Sequence, residues 1–311
     1  MRGNLILTVA QAENQELWEK TRMSGIGGSD VASVVGRNRW MSPYKLWAIK
    51  TGTIEPDDLS DNEAVYWGRE EEEIVAKRFT RDTGKKVRKC GMLQDEEYPF
   101  FLANIDRWLD KEKVGLEIKT ASYDDEWKDD EVPEEYYCQC QWYMGVTGAK
   151  KWYIAVKINN RKFIWKEIPR NEDDIKYLRE SALNFWQNNV LAGVSPDVDG
   201  CESTTEVLRK QYEQEQGMEV ALPSAAAVLL ERWDELKQIK AQADAELTEI
   251  QNRLMACLGL AKKGTIGDRV VTWSNQKGRE TVSVKDLKQK YPDVYRELVK
   301  VSAPSRRFSV K

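Results

Sequence analysis

Residues 103–120, ANIDRWLDKEKVGLEIKT, bring together two acids and a lysine at a spacing that could cleave phosphodiesters with a divalent cation. Ile105, Trp108 and Leu109 precede the polar run Asp110-Lys111-Glu112-Lys113, and Val114 to Ile118 follow it, which predicts two extended segments joined by a turn. Strand residues two apart share a face, so Glu117 and Lys119 point one way while Leu116 and Ile118 point the other. A hairpin brings Asp106 beside them. Two carboxylates suit Mg²⁺, a hard cation that keeps several of its waters, and a nearby lysine can orient or deprotonate an attacking water. The same three residues on a surface would be only a turn and a solvated salt bridge, so the rest of the chain has to choose.

Composition narrows the choice. The chain of 311 residues has no histidine, which removes Ser-His, Cys-His and His-metal chemistry and leaves carboxylates, lysine, tyrosine or a metal ion. Its five cysteines are odd in number and scattered, without C-x-x-C spacing, so reduced thiols are expected and an iron–sulfur cluster is not. A hydrophobic content of 41% at this length allows one good core and a second, smaller unit. No run approaches the ~18 apolar residues of a membrane span, and the first residues do not read as a secretory leader, so a soluble, cytoplasmic protein is expected. The net charge of −4 does not argue for binding nucleic acid through global charge, but 48 Lys and Arg residues leave room for a local basic groove.

The elements around the hairpin follow from periodicity. An amphipathic segment at 14–21 leads to Arg22-Met-Ser-Gly-Ile-Gly-Gly-Ser-Asp30, whose glycines permit a tight turn. Ser29 or Asp30 is placed to cap a short helix through Val31, Ala32, Val34 and Val35 that Gly36 ends. This reads either as an ordinary capped turn or as an anion site joined by Arg22 and Ser29. Ser42 and Pro43 open the next helix. Residues 63–83 form a helix with Trp67, Ile74, Val75 and Phe79 as its apolar face and Gly84 as its stop. Within its run of glutamates, Glu71 or Glu72 lies beside the buried side and needs a metal or a lysine partner; periodicity does not choose between them. A strand is expected at 86–94, an acidic loop or lid at 122–131, a helix at 133–145, two strands at 151–157 and 163–168, and a long helix at 173–192. This order gives an α/β unit with a mixed sheet and helices on both faces, ending near residue 200. Residues 201–311 add a long helix capped by Ser224 with a coiled-coil-like apolar seam, then strands at 269–273 and 281–284 and helices around Leu287 and Val294.

Several ordered motifs recur here: Gly25-Ile-Gly-Gly-Ser-Asp30; Trp40 with Ser42-Pro43-Tyr44 and Leu46-Trp47; Trp67-Gly68-Arg69 with Glu72; Asp106; Glu117-Ile-Lys119; and Gln139-x-x-x-Tyr143. In this order the first 200 residues resemble the phage-type recombination exonucleases of the PD-(D/E)XK superfamily, which include lambda exonuclease and the YqaJ-like viral recombinases. The resemblance implies a restriction-endonuclease-like α/β core with a mainly helical C-terminal extension. It implies Mg²⁺ (or Mn²⁺) held by Asp106, Glu117 and the backbone carbonyl of Ile118, with Glu72 near the metal directly or through water. It gives Lys119 to the attacking water, Gln139 and Tyr143 to the site, and Arg22, Ser29 and Gln139 to the 5′-terminal phosphate of DNA. The activity implied is 5′-to-3′ digestion of one strand of linear double-stranded DNA, leaving a 3′ tail for phage-type recombination. Family partners are DNA ends and a single-strand-annealing protein, in rings that are commonly trimers, in the cytoplasm of a bacterial host. A junction-resolvase-like endonuclease is the alternative on the same core. A DNA-end-binding protein without catalysis would be expected to lack Asp106, Glu117 or Lys119.

Overall fold

The expected hairpin lies inside a five-stranded mixed sheet in this computed structural model, which describes residues 2–128, 131–214, 217–301 and 305–310. The chain divides into two units, Met1–Glu213 and Gln214–Lys311. In the first, β1 (Asn4–Leu7) is followed by α1 (Val9–Ala12), α2 (Gln15–Met23), α3 (Gly28–Val34), α4 (Pro43–Lys50) and α5 (Glu63–Thr83). Then come β2 (Arg88–Lys89), β3 (Met92–Gln94), β4 (Leu102–Asn104), β5 (Arg107–Leu109), β6 (Val114–Ala121), α6 (Glu134–Thr147), β7 (Lys151–Ile158), β8 (Lys162–Pro169), α7 (Glu172–Asn184) and α8 (Glu202–Gln211).

The main sheet has the order β2-β5-β6-β7-β8, and β1-β3-β4 form a separate sheet. Only β6 and β7 pair in parallel within the main sheet, because the chain passes between them through α6, the kind of crossover that parallel neighbours require. Side chains alternate across these central strands. Leu116 pairs with Tyr153, whose ring lies 5.4 Å from Phe79 of α5, whereas Trp152 meets Tyr143 of α6 at 5.5 Å. Helices therefore cover both faces, as an α/β core demands.

Helix ends follow local chemistry. Ser42 caps α4 by accepting from the Lys45 N–H, with Pro43 in the first turn. Asn62 caps α5, and Gly84 closes it. The apolar face of α5 is narrower than expected: Val75, Ala76 and Phe79 are buried, while Trp67 and Ile74 are 53% and 59% exposed. Trp67 instead donates its indole N–H to Glu63 on the surface, 2.8 Å away. The strand expected at 86–94 is two strands in different sheets, since β2 pairs with β5 and β3 pairs with β1 and β4. The helix expected at 173–192 is α-helical to Asn184 and then widens into a π-turn at Phe185–Leu191.

The first unit runs past residue 200. In α8, Ser203, Thr204 and Val207 are buried; Ser203 Oγ accepts from the Ser42 N–H at 3.0 Å, and Thr204 donates to the Ser42 hydroxyl at 2.7 Å. These partners are far apart in sequence, so periodicity alone could not attach α8 to this core.

The second unit has α9 (Ala226–Leu258), the antiparallel pair β9 (Lys263–Ile266) and β10 (Arg269–Thr272), then α10 (Val284–Lys290) and α11 (Pro292–Leu298). Residues 281–284 are not the expected strand; Ser283 caps α10 by accepting from the Asp286 N–H, and β10 pairs with 263–266 instead. No residue of α9 is buried, and within this unit Trp233 meets the Phe308 ring at 5.8 Å.

Gly115 is the tightest point of the hairpin. A Cβ there would fall 2.0 Å from Cζ2 of the fully buried Trp152. Gly115→Ala should therefore destabilise the fold by about 1–3 kcal/mol, the usual cost of overpacking a core, read as a lower midpoint in chemical denaturation.

Candidate active site

The register of the hairpin sets the site. Arg107 pairs with Leu116, so Asp106, one residue earlier, stands opposite Glu117 on the same face of the sheet. Asp106 Oδ2 accepts from the Ile118 N–H at 2.7 Å, which fixes the carboxylate across the strand pair. Glu117 Oε1 accepts from Gln139 Nε2 at 2.7 Å and lies 2.6 Å from Lys119 Nζ. Gln139 also donates to the Tyr143 hydroxyl at 3.0 Å; the two residues are one helical turn apart on α6 and so reach the same spot. Lys119 Nζ sits 4.8 Å from the centre of the Tyr136 ring. Asp106, Glu117, Ile118, Lys119, Gln139, Tyr143, Glu72, Arg22 and Ser29 all line one cavity of about 200 Å³.

The electrostatics of this cavity are unbalanced. Burial, and after it the neighbouring Glu117 charge, push the Asp106 carboxyl well above the ordinary carboxylate range. Burial also raises Glu117, against the opposing pull of the Lys119 ammonium. Burial would lower the Lys119 pKa, but Glu117 and Asp106 more than offset it and raise the group, so the lysine is an ammonium. Glu117 Oε2 is buried without a hydrogen-bond partner. An unpartnered carboxylate oxygen costs free energy unless a cation answers it. The donors are oxygens only, which fits a hard divalent cation such as Mg²⁺ rather than a thiophilic one.

The glutamate run in α5 resolves into ion pairs. Glu71 takes the lysine partner that burial demanded, Lys157 Nζ at 2.7 Å. Glu72 and Glu73 both bind the guanidinium of Arg107, whose side chain is 3% exposed. Because Arg107 follows Asp106 on the strand, it faces α5 while Asp106 faces α6. Glu72 borders the cavity and adds to the repulsion on both carboxyls, yet its Oε1 is committed to Arg107. Among the described residues, no three acidic or thiol side chains gather as a ready-made metal set.

The glycine turn is built as an extra strand segment. Ile26 pairs in parallel with Phe101; its N–H donates to the Phe100 carbonyl at 2.7 Å, and the Leu102 N–H donates back at 2.8 Å. Helix α3 starts earlier than expected, at Gly28, because Asp30 reaches back to accept the Gly27 N–H. Ser29 is therefore not the cap, and its hydroxyl accepts from Arg22 Nη2 at 3.1 Å. Gly28 packs directly on the site: a Cβ there would lie 2.4 Å from Tyr143 Cε1.

Three charged residues complete the arrangement, of which Lys50 and Arg107 were not singled out by the sequence. Asp30 and Lys50, each with a side chain 2% exposed, form an ion pair at 2.9 Å, and Asp30 also holds Arg22 at 3.1 Å. Arg107 is the third. A charged residue on an otherwise apolar helix face, as Lys50 is beside Leu46, Trp47 and Ile49, was the available signal. The acidic segment expected as a lid is fastened: Trp127 is buried and stacks on Tyr136 at 5.7 Å, and Arg39 binds Glu126 and Glu135. Residues 129 and 130 of that segment lie outside the described residues. All five cysteines are free thiols. Among the described residues, no helix is long and apolar enough to cross a membrane.

Residues 17–150 match the YqaJ-like viral recombinase domain. Over 310 residues, covering 96% of each chain, the sequence is 38% identical to the uncharacterized protein YqaJ of Bacillus subtilis (strain 168). The structure also resembles the crystal structure of an alkaline exonuclease from Laribacter hongkongensis, with a TM-score of 0.51 at 20% identity over 58% of this chain and 94% of that one. At that identity the likeness establishes a shared fold, the mixed sheet with flanking helices described above.

Burial would raise the Asp30 carboxyl, but the Lys50 ammonium and the Arg22 guanidinium outweigh it and hold the group down at about 2, against 3.8 in an unstructured chain. A carboxyl depressed by folding stabilises the native state above its unfolded value and stops doing so as pH falls through its folded one. Asp30→Asn should thus cost about 3 kcal/mol at neutral pH, the scale of breaking a buried ion pair. In denaturant titrations the gap to the wild type should narrow between pH 4 and pH 2, since Asp30 is losing its advantage over that window.

Proposed function

The chain belongs to the YqaJ-like viral recombinase family, and from that premise we propose that it is a divalent-metal-dependent exonuclease that digests one strand of linear double-stranded DNA from its 5′ end. The observation that carries this reading is the shared cavity. The Asp106–Glu117–Lys119 constellation and the Arg22–Ser29 pair line the same space, so one group of residues can hold the scissile phosphate while the other holds a terminal phosphate. The exonuclease named among the structural relatives agrees with this reading at the level of fold.

Asp106, Glu117 and the carbonyl of Ile118 would hold Mg²⁺, with Glu72 contributing directly or through a water by way of Oε2, since Arg107 engages its Oε1. The cation, when bound, supplies Lewis-acid stabilisation of the phosphoryl oxygens and a more acidic water. The Lys119 ammonium is a hydrogen-bond donor, placed to orient the attacking water and to stabilise charge growing on the phosphate rather than to take a proton. Gln139 holds Glu117 Oε1, leaving Oε2 toward the cation, and its bond to Tyr143 fixes that orientation. Arg22 and Ser29 bind the 5′-terminal phosphate and set the register of each cut. By family resemblance, the 3′ tail passes to a single-strand-annealing protein, and copies of the chain form a ring around DNA in the bacterial cytoplasm.

Digestion of a linear duplex with and without a 5′-phosphate, beside a covalently closed circle, tests this. In Mg²⁺ the wild type should degrade the phosphorylated linear duplex and spare the circle; Lys119→Ala should lose at least about a hundredfold in rate, as removal of a transition-state donor does. EDTA should abolish cleavage. Cutting of the closed circle would instead indicate the endonuclease alternative, and an unimpaired Lys119→Ala protein would rule out the assigned chemistry.

A further inference from the structure

Arg22 does not stand alone beneath the cavity. Its Nη2 donates to Asp30 Oδ1 at 3.1 Å, and its guanidinium lies 5.4 Å from the centre of the Trp18 ring. Asp30 Oδ2 accepts the Gly27 N–H at 3.1 Å and meets Lys50 Nζ at 2.9 Å. Lys50 Nζ also donates to the backbone carbonyl of Arg22 at 2.8 Å. Lys50 therefore fastens the arginine twice, once at its main chain and once through the carboxylate that grips its side chain.

Exposure separates the roles of the three charges. The Arg22 side chain is 38% exposed and lines the cavity, whereas Lys50 and Asp30 are each 2% exposed. A DNA end can touch Arg22 but not Lys50. Charge balance gives the reason for a buried lysine. Arg22 and Asp30 alone would be a neutral pair, with little attraction left for a phosphate dianion. Burial disfavours the Lys50 ammonium and the Asp30 carboxylate supports it; paired in this way Lys50 cancels Asp30 and leaves these three residues with one net positive charge, carried by the group that faces the cavity.

We infer that Lys50 is a positioning residue for DNA-end recognition, which through Asp30 fixes Arg22 and keeps it net positive toward a 5′-terminal phosphate without touching the DNA. This rests on the 5′-end reading proposed above. Lys50 lies on α4, far in sequence from the catalytic hairpin, and its effect is on which ends are chosen rather than on the bond that breaks. A residue with a merely structural role would weaken binding to all ends alike; a positioning role changes the ratio between them.

The test is fluorescence anisotropy with the full chain in EDTA, comparing a duplex bearing a 5′-phosphate with the same duplex bearing a 5′-hydroxyl. The wild type should prefer the phosphorylated end. Lys50→Met should reduce that preference about tenfold, the scale of one charge-assisted contact, and Lys50→Arg should retain it. Should Lys50→Met fail to fold, Lys50→Gln, which can still hydrogen-bond Asp30 and the Arg22 carbonyl but carries no charge, should show the same loss, because Asp30 then cancels Arg22. A folded Lys50→Met or Lys50→Gln protein with the wild-type preference overturns the inference while leaving the 5′-end reading intact. A wild type with no preference overturns the 5′-end reading itself, and the inference with it.

Discussion

A buried carboxylate with one oxygen unanswered is the constraint around which this molecule is organised. Glu117 sits at the centre of a sheet, with Oε1 saturated by Gln139 and Lys119 and Oε2 left without a partner, and Asp106 faces it across the hairpin. Two such groups repel each other, and little water reaches the buried Glu117, while Asp106 is only partly exposed. That tension persists only because the surrounding structure over-determines it: the Ile118 N–H pins Asp106, α6 presents Gln139 and Tyr143 together, and Gly28 lets the glycine turn close onto the Tyr143 ring. Local instability of this kind is characteristic of functional sites, which give up some stability to be ready for a cation and a substrate.

The hairpin divides its charges between the two faces of the sheet. Asp106, Glu117 and Lys119 go to the α6 side, where chemistry is possible, and Arg107 goes to the α5 side, where it pairs with Glu72 and Glu73. Adjacent residues on one strand thus serve opposite ends. Arg107 also ties down one oxygen of Glu72, the third carboxylate that borders the cavity. On the far wall the same economy appears in Asp30, which closes the turn before α3, holds Arg22 and is itself balanced by Lys50.

Much of the architecture was legible from residue pattern. The period-two alternation of 114–119 placed Glu117 and Lys119 together, Ser42-Pro43 opened α4, Gly84 closed α5, and the strands at 151–157 and 163–168 emerged as an antiparallel pair. Where periodicity failed, the cause was packing against distant chain. Trp67 and Ile74 fit a helical stripe but lie outside the narrow contact that α5 makes with the sheet. Segment 86–94 has uniform strand character, yet its halves pair with different partners. The same holds for α8, whose attachment to Ser42 spans most of the first unit.

For the candidate site, residue types and spacing alone were enough to bring Asp106, Glu117 and Lys119 into one constellation, because a hairpin and the two-residue repeat of a strand are local rules. The absence of histidine narrowed the chemistry in the same way. Which glutamate of the α5 run borders the cavity, and which cations answer each buried charge, depended on contacts between α5, β5 and β7 and between α2, α3 and α4. Those pairings are long-range and electrostatic. A charge in a sequence carries no record of its partner until folding removes the water from around it.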